Sequence, residues 1–250
     1  LDDPTIKAMR ERLSARAVTY GLREPADLTA REIRLREGGS SFIVVWKGKD
    51  LGRLELVIPG RHNVQNALAT VAVALETGVA LEDVASALAT FHGARRRFQY
   101  MGEVGGVLIV DDYAHHPTEI DTTLQAARDS WGRRIVAVFQ PHRYTRTHFL
   151  MEEFAGAFGA ADEVIIGRIY SPPPDQPIPG VTSERLVELI RQRVRCPVHH
   201  IPENDDIVAY LAETVRPGDL VITMGAGDIW TVARDLAVEL QKRQVRSAAP

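Results

Sequence analysis

The sequence has 250 residues, of which 45% are hydrophobic and 25% are charged, as in ordinary globular proteins. This composition excludes an intrinsically disordered chain, a collagen-like repeat and a fibrous architecture, and the length predicts one large domain or two of moderate size. The 30 basic and 33 acidic residues give a net charge of −3. Because no global positive field attracts nucleic acid or an anionic membrane, we expect neither as a partner.

The single cysteine, Cys196, excludes an internal disulfide and a cysteine-based metal cluster. A reducing compartment fits this composition, and we expect a cytoplasmic protein. The longest apolar run, residues 67–75, is interrupted by Thr70 and is much shorter than the about 18 residues that a membrane helix needs. The chain begins Leu1-Asp2-Asp3, without a methionine or a basic and apolar leader, so we also expect a piece of a longer protein.

The first third of the chain is predicted to be rich in β-structure. The pattern indicates a short helix over residues 5–13, then strands over 17–22, 32–36, 41–46 and 51–58. Beyond Pro59-Gly60 the apolar residues recur at helical spacing. This predicts one helix over 64–75 that ends at Gly78 and a second helix over 82–91.

From Arg97 onward, short apolar runs alternate with amphipathic segments. We predict strands over residues 107–110, 135–139, 164–167, 198–201 and 220–224, and helices over 117–130, 147–158, 183–193, 205–215 and 227–243. Such alternation is typical of an α/β fold with a mostly parallel sheet and helices on both faces. We therefore predict two domains, residues 1–96 and 97–250.

Polar segments follow three of these strands, and ligands bind where the carboxyl ends of parallel strands meet. Residues 111–119 read DDYAHHPTE, residues 140–148 read QPHRYTRTH and residues 225–228 read GAGD. In the first segment Asp112 is suited to a metal or hydroxyl contact, and His115 and His116 to an anion. The sequence is equally compatible with Asp111 or Asp112 capping backbone groups beside solvated histidines.

The second segment carries Arg143 and Arg146 next to His142 and Tyr144. A guanidinium group can grip a carboxylate or a phosphate with two parallel hydrogen bonds. We therefore interpret this segment as an anion site rather than a solvated charged loop. The third segment is too short for a dinucleotide motif and is better interpreted as a tight structural turn.

A fourth cluster precedes the helix predicted over residues 64–75. Asn63 and Asn66 share a helical face, where their amides can read a purine edge or a ribose; alternatively, Asn63 is only the N-cap of the helix. The run of arginines at 95–97 lies at the domain junction, where a cation can reach a phosphate; alternatively, it is a solvated linker. Because the sequence contains no G-x-x-x-x-G-K-[ST] phosphate loop, we expect any nucleotide site in this chain to be half a site.

Five motifs, in this order, resemble the Mur ligases of bacterial cell-wall synthesis. They are GRHNVQNAL at residues 60–68, RRF at 96–98, DDYAHHPTEI at 111–120, FQPHRYTRT at 139–147 and GAGD at 225–228. The resemblance implies the C-terminal part of the family's central ATP-binding domain, followed by its Rossmann-like C-terminal domain. It also implies that ATP phosphorylates the lactyl carboxylate of UDP-N-acetylmuramate, and that the amine of L-alanine then attacks the acyl phosphate to form an amide.

The family's site residues carry over to these motifs by position. The resemblance implies that His62, Asn63 and Asn66 contact the nucleotide base, that Arg97 reaches the ATP phosphates and that Asp112 lies near the ribose. The residues implied for the amino acid and the muramoyl substrate are Tyr113, His115, His116, His142, Arg143 and Arg146. We expect Arg97, Asp112 and His116 to take part in catalysis. We expect no metal ligand in this chain, and Mg²⁺ to be held by a segment outside it.

Three other functions are compatible with these residues. A peptide-recycling ligase would join a tripeptide to the same UDP-sugar, although its counterpart of residues 140–147 usually lacks the His-Arg-Tyr-Thr-Arg run. A noncatalytic module that binds nucleotide or a UDP-muramoyl compound would need no phosphate loop. A metal hydrolase would use Asp111, Asp112, His115 and His116, which the resemblance explains better.

Overall fold

The computed structural model describes residues 2–10, 12–23 and 25–248, which form two compact units. The first comprises Leu1–His92 with Asp129–Trp131, and the second comprises Gly93–Arg128 with Gly132–Pro250. The domain boundary predicted at residue 96 lies close to this division and stays a prediction. No helix in the described ranges has the length and apolar character needed to cross a bilayer.

The first unit contains an antiparallel sheet in the order β1-β2-β3. Its elements are α1 (Pro4–Arg10), β1 (Leu28–Arg36), β2 (Gly39–Trp46), β3 (Lys49–Leu56), α2 (Arg61–Thr77) and α3 (Leu81–Leu88). Phe42 and Leu54 on the sheet share one buried cluster with Leu68 and Val71 of α2. Burial of each such side chain contributes about 1.5–3 kcal/mol, which holds the helix on the sheet.

Two predictions for this unit have opposite outcomes. The helix end at Gly78 is confirmed, because this glycine has φ 76° and takes the left-handed conformation that closes α2. The strand over residues 17–22 is wrong, since only an isolated bridge from Tyr20 to Leu28 forms there. The Asp27 carboxylate accepts the Thr19 hydroxyl at 2.7 Å and the Thr19 backbone N–H at 2.9 Å, so this N–H is not available to a strand ladder.

The second unit is built on a six-stranded sheet in the order β4-β5-β9-β6-β7-β8. Its elements are β4 (Gln99–Val104), β5 (Val107–Asp112), α4 (Pro117–Ser130), β6 (Arg134–Phe139), α5 (Tyr144–Phe149), α6 (Met151–Gly156), β7 (Glu163–Ile166), α7 (Ser183–Arg193), β8 (Val198–His200), α8 (Asn204–Thr214), β9 (Asp219–Met224) and α9 (Trp230–Ala248). Only β4 pairs antiparallel with its neighbour within this sheet. The predicted α/β fold with a mostly parallel sheet is confirmed.

Helices cover both faces of this sheet, as predicted. Val138 of β6 shares a buried cluster with Ile207 of α8 and Leu236 of α9. The next residue, Phe139, points to the opposite face, where its ring lies 5.4 Å from that of Phe154 in α6. The sheet is therefore buried on both sides, which explains why its strands are continuous apolar runs.

Two features of this unit differ from the prediction. The edge strand β4 was not predicted, because the glycine at 102 has φ 150° and a register shift between Tyr100 and Gly102 breaks the alternation of side chains. The helix predicted over residues 147–158 is two short helices that meet at Leu150, where φ is −119°. The first of them begins at Tyr144 because the Asp175 carboxylate accepts the Tyr144 backbone N–H at 2.7 Å.

Candidate functional site

The polar segments after β5, β9 and β6 lie side by side, because these strands are neighbours in the sheet. An open groove of about 670 Å³ lies at this edge. Its lining includes all six residues that the sequence predicts for the amino acid and the muramoyl substrate: Tyr113, His115, His116, His142, Arg143 and Arg146. Three imidazoles and two guanidinium groups therefore share one concave surface, which is suited to oxygen anions.

His142 and Arg146 form one hydrogen-bonded unit in this groove. Arg146 Nη1 donates to His142 Nδ1 at 3.0 Å and to the His142 carbonyl oxygen at 3.2 Å. The His142 ring stacks on Tyr170, with ring centres 5.7 Å apart and planes 14° from parallel. Burial, followed by the positive charge of Arg146, lowers the pKa of His142 to about 4, so this imidazole is neutral at physiological pH.

The backbone of Arg143 is strained, directly before the start of α5. Its φ of 71° lies in the left-handed region, which a non-glycine residue rarely adopts. The Arg143 N–H donates to the Tyr170 carbonyl oxygen at 2.8 Å, and Asp175 accepts the Thr145 hydroxyl at 2.7 Å. Strain of this kind is kept where neighbouring structure imposes it, and here it occurs at a residue that lines the groove.

Asp175 connects the proline-rich segment after β7, residues 172–179, to the start of α5. The Ser171 hydroxyl donates to its carboxylate at 2.6 Å, and the backbone N–H of Tyr144 donates at 2.7 Å. The Ser171 hydroxyl, together with the donors of Thr145 and Tyr144, lowers the pKa of Asp175 to about 2. The segment thus anchors the first turn of α5, which carries Arg146 and follows directly after Arg143.

The turn that carries His115 and His116 is held by Glu119. Its Oε2 accepts the backbone N–H groups of His115 and His116 at 2.9 and 3.1 Å, as the glutamate of a capping box does. Burial opposes the ionisation of Glu119, but the His115 N–H bond and nearby positive charges hold its pKa below the usual value. Burial and then the charge of Arg146 lower the pKa of His116.

Asp112 and Asp111 accept hydrogen bonds from the protein itself. Asp112 is 4% exposed, and its two oxygens accept the backbone N–H groups of Phe98 and Ala114, each at 2.8 Å. Burial raises the pKa of Asp112 to about 6. Asp111 accepts from the Thr223 hydroxyl at 2.7 Å. Both carboxylates have the geometry of backbone or side-chain caps, and the ribose contact of Asp112 stays a prediction.

The two arginines before β4 have different environments. Arg96 donates to Asp111 Oδ2 at 2.8 Å and to the carbonyl oxygens of Gly225 and Gly227 at 2.7 and 3.3 Å, so it ties the β9 loop to β5. The Arg97 side chain is 48% exposed and donates to Glu119 Oε1 at 3.2 Å. Of the pair, Arg97 is the one with a guanidinium group accessible to a ligand.

The Gly225-Ala226-Gly227 turn is a structural one, as the sequence indicates. A Cβ added to Gly227 would overlap the Gln140 side chain and lie 2.9 Å from Tyr170 Cβ. Gln140 Nε2 donates to Asp228 Oδ1 at 2.6 Å, just beyond the turn. Glycine is therefore needed for close packing between the ends of β9 and β6.

The predicted base-binding residues lie in the first unit, at the start of α2. Asn66 Nδ2 donates to Asn63 Oδ1 at 3.3 Å, so the two amides do share a face. The N-cap alternative for Asn63 is wrong, because the N-cap is Gly60, with φ 98°, and Asn63 lies inside the first turn. Its Nδ2 donates to the Pro59 carbonyl oxygen at 2.7 Å. The nucleotide contacts of His62, Asn63 and Asn66 stay predictions.

Three residues that shape the groove were not identified as site residues from the sequence: Glu119, Tyr170 and Asp175. The signal for Glu119 was a capping-box pattern with histidine in the place of serine or threonine, which weakens it. Tyr170 and Asp175 have no local signal, because they reach residues 142–145 from a segment that follows another strand. Only the topology of the sheet brings them there.

Comparisons with known proteins agree with this arrangement. The family model for the "Mur ligase, glutamate ligase domain" matches residues 96–227, and the model for the "Mur ligase middle domain" matches residues 1–74. The UDP-N-acetylmuramate–L-alanine ligase of Symbiobacterium thermophilum is 47% identical over 253 aligned positions, which cover 99% of this chain and 52% of the relative.

Solved structures show the same similarity. The UDP-N-acetylmuramate-alanine ligase of Thermotoga maritima superposes with a TM-score of 0.74 at 26% identity, over 93% of this chain and 48% of that one. A murein peptide ligase of Psychrobacter arcticus gives a TM-score of 0.58 at 25% identity, over 86% and 44%. The chain spans about half the length of the curated relatives it matches. Because one Mur ligase family model matches more than half of its residues, the chain belongs to the Mur ligase family.

Proposed function

We propose that this chain supplies part of the active site of an ATP-dependent ligase that joins L-alanine to the lactyl carboxylate of UDP-N-acetylmuramate. The observation that carries the proposal is the groove in which His142, Arg143 and Arg146 converge with His115 and His116. The names and the identity of the relatives support the choice of substrates. We further propose that the protein acts in the cytoplasm, where ATP and the nucleotide sugar are available.

The reaction requires negative charge to be neutralised twice. The terminal phosphoryl group of ATP passes to a carboxylate oxygen, which gives ADP and an acyl phosphate. The amine of L-alanine then attacks the acyl carbon, the amide bond forms, and inorganic phosphate leaves with a proton released from the amine. Positioning and charge stabilisation dominate such transfers, and a groove rich in guanidinium and imidazole donors is suited to both.

Individual roles follow from the accessibility of each donor. Arg97 is half exposed and held by Glu119, so we assign it to the ATP phosphates. Arg143 and Arg146 have the fork geometry that binds carboxylate or phosphoryl oxygens, and we assign them to the acyl acceptor or the amino acid. We assign the adenine to His62, Asn63 and Asn66, and we keep His116 and Asp112 as contacts to substrate and ribose.

ATP-dependent phosphoryl transfer of this kind uses Mg²⁺ to neutralise charge on the phosphates. The donors described in this chain do not fit a magnesium site. Asp111 and Asp112 already accept hydrogen bonds from the protein, and no three His, Cys, Asp or Glu side chains in the described ranges are arranged so that they could hold a metal ion. We therefore assign the metal no ligand here and propose that its ligands belong to a part of the ligase outside this chain.

A chimera tests the proposal. This chain would replace the matching half of the Symbiobacterium thermophilum ligase, and the product formed from ATP, UDP-N-acetylmuramate and an amine donor would be identified by mass spectrometry. We expect ligation with L-alanine and none with a muropeptide tripeptide. Ligation of the tripeptide alone would favour the recycling ligase, and nucleotide binding without any product would favour the noncatalytic module.

A further inference from the structure

The hydrogen bond between Arg146 and His142 has only one possible direction. An arginine side chain carries donors and no acceptor, so in the 3.0 Å contact Arg146 Nη1 donates and His142 Nδ1 accepts. A nitrogen that accepts a hydrogen bond holds its lone pair in that bond and carries no proton. In a neutral imidazole the proton must then be on the other nitrogen, Nε2.

The surroundings of the ring keep it neutral. Arg146 faces it from α5 and Arg143 from the residue before that helix, and the centre of the His115 ring, in the turn after β5, lies 6.2 Å from its centre. Asp175, from the segment after β7, is the acidic group that opposes them, and Tyr170 covers one face of the ring at 5.7 Å. Burial and the two guanidinium groups outweigh Asp175, which agrees with the lowered pKa of His142.

The Nε2 atom is the part of the ring left for a ligand. Among the described residues none forms a hydrogen bond with it, whereas Nδ1 is bonded to Arg146. His142 belongs to the lining of the groove together with Arg143 and Ala226. The ring therefore presents a nitrogen without a protein partner beside two positive side chains.

We propose that Arg146 fixes His142 as the neutral Nε2–H tautomer, so that His142 offers the groove a hydrogen-bond donor and not a base. The identity of the acceptor rests on the proposed function: it is an oxygen atom of an anionic substrate group, carboxylate or phosphoryl. His142 has no lone pair left to take a proton from the attacking amine. Arg146 is a positioning residue in this respect, because it acts on the ligand through the imidazole.

Nuclear magnetic resonance on this chain, labelled with ¹⁵N in histidine, reads the tautomer without any substrate. Two-bond couplings between the ring protons and nitrogens distinguish Nε2–H from Nδ1–H. We expect His142 to show the pure Nε2–H pattern from about pH 6 to pH 8, a range in which an ordinary histidine titrates. An Nδ1–H pattern, a mixture of tautomers or a titration within this range would overturn the proposal.

Substitutions separate the hydrogen bond from the local charge. Arg146→Met removes both, and we expect a mixture of tautomers together with a pKa raised toward the usual value. The matched control Arg143→Met removes a neighbouring charge but no bond to the ring, and we expect it to raise the pKa slightly and keep the pure Nε2–H pattern. If both variants keep the pure pattern, Arg146 does not set the tautomer and the proposal fails.

Inorganic phosphate and L-alanine are the probes for the donor. We expect at least one of them to shift the Nε2 proton resonance of His142 in a saturable way, phosphate if the groove receives a phosphoryl group and L-alanine if it receives a carboxylate. No shift with either would overturn the donor assignment. The tautomer is measured without substrate, so a wrong tautomer would contradict the assignment of His142 whatever the ligation assay shows. A negative ligation assay would contradict only the proposed function.

Discussion

Arg97 and the turn that carries His115 share one carboxylate. Arg97 Nη1 donates to Glu119 Oε1 at 3.2 Å, while Oε2 of the same side chain accepts the backbone N–H groups of His115 and His116. The arginine assigned to ATP and the histidines assigned to the other substrate are therefore held by the same residue. A disturbance at Glu119 is expected to reach both.

Glu119→Ala and Glu119→Gln separate the two roles of this carboxylate. We expect Glu119→Ala to lower the free energy of unfolding by about 1 kcal/mol, because two N–H groups lose their acceptor. Glu119→Gln keeps an acceptor and should remain within about 0.5 kcal/mol of the parent chain. Urea unfolding followed by circular dichroism measures both, and equal losses in the two variants would contradict a capping role.

Asp112 makes stability depend on pH in a defined direction. Burial raises its pKa from 3.8 to about 6, so the folded chain holds this proton more tightly than the unfolded chain. The resulting stabilisation is complete below about pH 4 and is lost as the pH rises to about 6. Since each pKa unit corresponds to about 1.4 kcal/mol, the change is on the order of 3 kcal/mol.

The variant Asp112→Asn cannot ionise and provides the comparison for this effect. Between about pH 4 and about pH 6 we expect the parent chain to lose unfolding free energy through Asp112, and the variant not to lose it. The difference between the two should therefore change in favour of the variant as the pH rises. Denaturation curves recorded at a series of pH values give this difference directly. Two curves that run parallel over this range would mean that Asp112 is ionised throughout in the folded state.

Gly227 should not tolerate even a methyl group. A Cβ at this position would overlap Gln140 and approach Tyr170, so we expect Gly227→Ala to cost about 1–3 kcal/mol. Gly156, at the end of α6, has no atom within 4 Å of the place that an added methyl group would occupy, apart from its chain neighbours and the backbone of its own helix, and Gly156→Ala should be neutral or slightly stabilising. Thermal unfolding of both variants tests the pair, and similar melting temperatures would contradict the close packing.

Arg143 and Arg146 should not tolerate lysine. A lysine keeps the charge but loses the planar fork that binds an oxygen anion with two hydrogen bonds, so in the chimera we expect each Arg→Lys change to lower kcat/KM by about tenfold or more. Arg185→Lys is the control, because Arg185 is an exposed residue of α7 paired with Glu188. Near-normal kcat/KM in both groove variants would contradict an anion site and favour the interpretation of residues 140–148 as a solvated charged loop.

Much of the fold could be predicted from the sequence because its signals are local. The apolar runs of β5, β6 and β9 and the glycine that ends α2 require only their neighbours in the chain. The edge strand β4 was missed because Gly102 interrupts its alternation, and residues 17–22 were wrongly predicted because the side chain of Asp27 takes the backbone N–H of Thr19.

The site could be predicted only in part, for a related physical reason. Residues with chemically active side chains at strand ends, such as His142 and Arg143, were identifiable because the sheet must bring strand ends together. What each side chain bonds to depends on distant segments. The ring of Tyr170 stacks on His142, and the carboxylate of Asp175 bonds to the start of α5. Both come from a segment about 30 positions further along the chain; Asp175 and its partner Tyr144, for example, are 31 residues apart.

The central claim is that the groove serves ligation through an acyl phosphate. The most direct measurement uses the chimera with UDP-N-acetylmuramate labelled with ¹⁸O in its lactyl carboxylate, together with ATP and L-alanine. We predict ADP, the L-alanyl product and inorganic phosphate that carries one ¹⁸O atom from the carboxylate, and no turnover by this chain alone. Unlabelled phosphate, or the release of AMP and pyrophosphate in place of ADP and phosphate, would contradict the account.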